Sequence, residues 1–150
     1  MPDLSFKEKS ILGTLIGITL VSFWYFETVL GMLQAGATDL VALGKLAVGL
    51  VIFFILVEIV FHTLLAARWP RDAAAGEDER DQLIELKGER VGGLLLGLGV
   101  VSTIGHIALN ALFETAAPSH FLSVNLLLLS LTIAEIGKYV SQLIYYRRGT

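Results

Sequence analysis

The sequence contains no cysteine, which removes disulfide frameworks, thiolate metal sites and cysteine nucleophiles together. Charge is also scarce, with Asp, Glu, Lys and Arg making up 17% of 150 residues. The 11 basic and 14 acidic side chains give a formal net charge of -3, so no globally basic surface for nucleic acid is indicated, and no nucleic-acid partner is expected. Nor is there a nucleophile elbow, a zinc-protease helix signature, a phosphate-cradling glycine loop or a dinucleotide fingerprint. A non-catalytic protein without a cofactor is therefore expected. What the chain has in excess is apolar surface: 55% of its residues are hydrophobic and its mean hydropathy is +0.73, which makes lipid the expected solvent.

Crossing about 30 Å of hydrocarbon takes roughly 20 helical residues. Apolar runs of that length cover approximately 11–33, 40–67, 91–113 and 121–146. They lack the alternation of a barrel strand, so the expected fold is all-α, a single membrane domain of four transmembrane helices arranged as two hairpins. The first run follows Lys7 and Lys9 and precedes Ala35-Gly36-Ala37, a layout that imitates a signal peptide. It outlasts the roughly 7–15 residues of a signal core and contains Trp24, Tyr25 and Glu27, so it is read as a span.

Lys7 and Lys9 precede the first span, Arg68, Arg71, Arg80, Lys87 and Arg90 lie between the second and third, and Arg147 and Arg148 follow the fourth. The other two connections carry no lysine or arginine. The positive-inside rule then predicts cytoplasmic termini and a cytoplasmic middle loop.

The two halves resemble each other. Gly13 and Gly17 correspond to Gly93 and Gly97 at one offset, which also pairs Ser22 with Ser102, and Glu58-Ile59 corresponds to Glu135-Ile136 at nearly the same one. A parallel repeat about the membrane normal is one explanation. Gly13-x-x-x-Gly17 and Gly93-x-x-x-Gly97 each put small residues on one helix face, where backbones can approach closely within the chain or across a homodimer.

Five ionisable groups fall inside the spans: Glu58 and His62, His106, and Glu135 and Lys138. At about 1.5 Å per residue from the flanking arginines, Glu58, Glu135 and His106 lie roughly 15, 18 and 22 Å deep, and His62 and Lys138 about 9 and 13 Å. An ionised side chain at the helix centre costs at least about 2.5–3.5 kcal/mol, so each must be paired, neutral or beside water. Glu58 and His62 are one helical turn apart, as are Glu135 and Lys138, so each pair shares a face. Self-neutralised ion pairs that fix helix register are one expectation. A proton- or cation-handling site, in which Glu58 and Glu135 converge with His106 above them, is the other. Joint metal ligation is disfavoured, because His62 and His106 differ in depth by about 13 Å.

Between Arg68 and Arg90 the composition turns charged and polar. Asp78 is placed to cap a cytosolic helix that runs straight into the third span. Glu77, Asp81, Glu85 and Glu89 recur every four residues, giving either a solvated acidic face or a docking face for a basic partner, with Asp78, Arg80 and Lys87 alongside.

The run Asp78-Glu79-Arg80-Asp81 with Ile84 and Lys87, an intramembrane Glu135 and the terminal Tyr146-Arg147-Arg148-Gly149 resemble a family of small prokaryotic four-helix membrane proteins classed as a domain of unknown function. The resemblance implies a prokaryotic cytoplasmic-membrane protein and brings no activity, substrate or catalytic residue with it. His106 and the Glu58/His62 pair are not part of that pattern. The function expected is that of a self-associating protein or an accessory subunit of a membrane complex, with the lipid bilayer and a membrane partner or second copy as its surroundings. A small proton- or cation-coupled transporter using Glu58 and Glu135 is the alternative.

Overall fold

A computed structural model describes residues 4–76, 78–113 and 120–148. Four long helices dominate it: α1 (Phe6–Gln34), α2 (Leu40–Arg68), α4 (Glu79–Leu112) and α5 (His120–Arg148), with a single-turn α3 (Pro70–Ala74) between α2 and α4. Each long helix is long and apolar enough to cross a bilayer. In such surroundings every backbone N–H and C=O must be satisfied within the segment, which selects helices.

Local chemistry sets the boundaries. Ser5 and Glu8 form a capping box at the start of α1, each side chain bonding to the other's backbone N–H. The first helix therefore begins before the apolar run and includes Lys7 and Lys9. At its other end Gly36 adopts a φ of 69°, and the Gly36 and Ala37 N–H groups donate to Leu33 O and Met32 O, the two bonds of a Schellman turn. The Ala35-Gly36-Ala37 sequence thus serves as a helix stop. Asp39 caps α2 by accepting from the Val41 and Ala42 N–H groups. Asp78 caps α4 by accepting from Asp81 N–H, and α4 then continues unbroken through Arg90 into apolar sequence.

The helices pack antiparallel, with α5 shared. Along the α4–α5 contact, Gly88 faces Gln142, Gly92 faces Ala134 and Lys138, and Gly99 faces Ser130, while Gly137 of α5 receives Leu95. In turn α1 packs on both α2 and α5, and Tyr25, Val29, Leu43, Leu50 and Phe121 from these three helices form a small buried cluster. This arrangement brings nine of the eleven basic residues to one end of the bundle. Most large apolar side chains remain exposed, including Phe23, Leu98 and Val101 at 66–70%. Helices apolar on every side are the form that suits a lipid surround.

The resemblance between the halves does not extend to packing. Gly13 accommodates the Phe61 ring and Gly17 lies against Glu58 and Phe54, whereas among the described residues nothing lies within 4 Å of where a Cβ would sit at Gly93 or Gly97. Within the chain, the close approach expected at Gly93 and Gly97 occurs instead at Gly88, Gly92 and Gly99, because that face of α4 is the one turned to α5.

Candidate functional site

Two acid–base clusters lie toward the basic end, one on each side of α1. The first joins α1 to α2. Thr14 Oγ1 donates to Glu58 Oε2 at 2.8 Å, and His62 Nε2 stands 3.0 Å from the same oxygen and 3.3 Å from Thr14 Oγ1. Ser10 Oγ lies 3.4 Å from His62 Nδ1. A proton on Nε2 lets the ring donate to the Glu58 carboxylate, and Nδ1 then faces the Ser10 hydroxyl. The Glu58 side chain is 18% exposed and that of His62 43%, so the histidine is the wetter partner.

The second cluster joins α5 to α4. Lys138 Nζ lies 2.7 Å from Glu135 Oε2 on its own helix and 3.4 Å from Glu89 Oε1 on α4. The Lys138 side chain is 14% exposed, and its ammonium also stands 4.7 Å from the Tyr139 ring centroid. Tyr139 lies within electrostatic reach of Lys138, Glu135 and, across the helix contact, Glu58. Both spaced pairs thus form along their own helices, and the second takes an additional carboxylate from α4.

Two cavities flank Glu135 and Lys138. On the apolar side, a space of about 370 Å³ lies between α1, α2 and α5, walled by residues such as Val21, Phe26, Leu50, Phe54 and Leu128, with Glu135 also lining it. On the basic side, a space of about 200 Å³ is lined by Lys7, Ser10, Asp81, Glu85, Glu89, Lys138, Gln142 and Tyr146 among others. The Glu135–Lys138 ion pair therefore has its acid on the apolar cavity and its base on the polar one.

His106 takes no part in this arrangement. Its side chain is exposed on α4 and its ring lies 3.3–3.4 Å from Asn110 Nδ2 on the same helix, so it does not sit above Glu58 and Glu135. Among the described residues, no group of three or more His, Asp or Glu side chains is arranged to hold a metal ion.

The charged segment before the third span is largely engaged within the chain. Arg80 donates to Tyr146 O at 3.0 Å, Tyr146 Oη donates to Asp81 Oδ1 at 2.6 Å, and Lys87 stands 4.9 Å from the Tyr145 ring centroid. Together with the Glu89–Lys138 pair, this assigns four of the six residues offered as docking candidates to fastening α4 onto α5, while Asp78 caps α4 itself. Glu85 is exposed beside the polar cavity, and Glu77 lies outside the described residues.

Sequence reasoning passed over Ser10 and Thr14, although their one-turn spacing on the Gly13/Gly17 side of α1 was a usable signal. It also missed the buried link between Tyr25 and Asn125, in which the Tyr25 hydroxyl donates to Asn125 Oδ1 at 2.9 Å and Asn125 Nδ2 donates to Phe121 O. An amide within an apolar stretch of the fourth span was the sign of it.

No protein-family model, curated protein or solved structure matches the chain.

Proposed function

We propose that the chain is a non-catalytic multi-pass protein of a prokaryotic cytoplasmic membrane, with both termini on the cytoplasmic side, that works by associating with a second copy or with a membrane partner. The gathering of nine basic residues at one end supports the orientation, since that end is the one retained in the cytoplasm. The resemblance carried by Asp78 to Asp81, Lys87 and Tyr146 to Gly149 supports the prokaryotic assignment.

The observation that carries association is the open face of Gly93 and Gly97. Both are small and spaced for helix contact, and a Cβ at either would meet nothing within 4 Å among the described residues, while the bundle has little interior of its own. The deciding experiment is proximity-dependent energy transfer between labelled chains in liposomes. Transfer that falls on Gly93→Leu with Gly97→Leu supports association through this face, and unchanged transfer in that variant removes it.

A second reading, proton or cation handling by Glu58 and Glu135, is favoured by the two cavities that meet at the Glu135–Lys138 pair. Its test is ion movement into liposomes, which should occur with the native chain and stop with Glu135→Gln.

A further inference from the structure

We propose that the cavity between α1, α2 and α5 binds an amphipathic organic cation, with the charged nitrogen at Glu135 and the apolar body against Val21, Phe26, Leu50, Phe54 and Leu128. The space is about 370 Å³ and Glu135 is the sole charged side chain on its wall. One other polar wall group is already committed, because the Tyr25 hydroxyl donates to Asn125.

Charge counting explains why the acid is available. With both carboxylates ionised, Glu89 and Glu135 share a single ammonium, Lys138, so the trio carries one unmatched negative charge. Lys138 meets Glu135 at Oε2. A ligand cation at Glu135 would restore neutrality, and Glu89 would still neutralise Lys138 from the other side. Glu135 lines the cavity with its side chain 35% exposed, so a positive group seated there meets an accessible carboxylate.

The walls select the rest of the ligand. An inorganic cation would find one carboxylate and no cage of oxygens, and a lipid acyl chain would place hydrocarbon against an ionised acid. An organic cation meets both demands: apolar surface for its body, and the rings of Phe26 and Phe54 as further partners for positive charge. The site shares Glu135 with the cation-handling reading but does not rest on it, because occupancy needs no gradient and no movement across the bilayer.

The test is equilibrium dialysis of (4-phenylbutyl)trimethylammonium against the full chain in lipid nanodiscs, with empty nanodiscs as the blank. Its neutral carbon isostere, in which carbon replaces the quaternary nitrogen, is measured in parallel. Saturable binding is expected for the cation, weaker by about tenfold or more for the isostere and for Glu135→Gln. Ser22→Phe fills the cavity while leaving Glu89, Glu135 and Lys138 intact, and should abolish binding. Equal binding of cation and isostere would mark an acyl-chain cavity and overturn the proposal. So would unchanged affinity for the cation in Ser22→Phe or in a folded Glu135→Gln; if Glu135→Gln does not fold, the isostere and Ser22→Phe decide.

Discussion

Thr14 on α1 donates its hydroxyl proton to Glu58 on α2 over 2.8 Å, so a neutral side chain from one helix holds the acid of another. Because Thr14 is buried and Glu58 nearly so, lipid cannot replace that donor. Thr14→Val keeps the shape and removes the bond. It should lower stability in detergent by about 0.6–2 kcal/mol, the range for interhelical hydrogen bonds in membranes. Thr19→Val is the control, since Thr19 donates only to Leu15 O on its own helix. Equal losses in the two variants would show that the Thr14–Glu58 bond contributes nothing specific.

Gly13 leaves room for the Phe61 ring, and a Cβ there would occupy the same space. Gly13→Ala should therefore push α1 from α2 and destabilise the chain by about 1–3 kcal/mol, as overpacking does. Phe61→Leu in the same chain should recover part of the loss. Gly93→Ala meets open space within the chain and should change monomer stability by less than about 0.5 kcal/mol. Reversible unfolding in mixed micelles separates the three.

Apolar run length was enough to find the four long helices, because the thickness of the hydrocarbon fixes how many residues must be apolar. Which faces meet was not legible in the same way. A helix in lipid is apolar on all sides, so hydropathy periodicity loses the information it carries in water. Small-residue spacing says only that close approach is allowed. Gly88 and Gly92 have the same spacing as Gly93 and Gly97 five residues on, yet α5 packs on the former. For the site, the pairs Glu58/His62 and Glu135/Lys138 followed from helical geometry alone. The partners from other helices, Thr14, Ser10 and Glu89, depend on the rotation of α1 and α4, which no local signal sets. His106 stands apart from both clusters for the same reason: its depth was readable, its facing was not.

Lys138 is held between Glu135 and Glu89, and replacing it by an apolar residue removes the ammonium that the two acids share. Lys138→Met should destabilise the chain, by roughly half of the about 3–5 kcal/mol typical of breaking a fully buried pair, because Glu89 is well exposed. The double change Lys138→Met with Glu135→Gln should restore much of the loss. Comparison of the single and double variants by denaturant unfolding measures the coupling, and additive losses would mean the pair is not energetically linked.

Tyr146 fastens the two helices at the basic end, donating through its hydroxyl to Asp81 while its carbonyl accepts from Arg80. The first turn of α4 lies outside the densest packing, and its Asp78 cap serves only the local backbone. Tyr146→Phe removes one tether and retains the ring and the carbonyl bond. The expected loss is about 0.5–1.5 kcal/mol, confined to the start of α4. Hydrogen exchange should therefore quicken over residues 82–86 by up to about tenfold and stay unchanged over residues 95–105, since opening here is local. Faster exchange along the whole of α4 would instead mean that the Asp81–Tyr146 bond supports the helix pair globally. Arg80→Gln should act on the same segment through the other bond, and the two substitutions together should exceed either alone, because each removes a separate link to Tyr146.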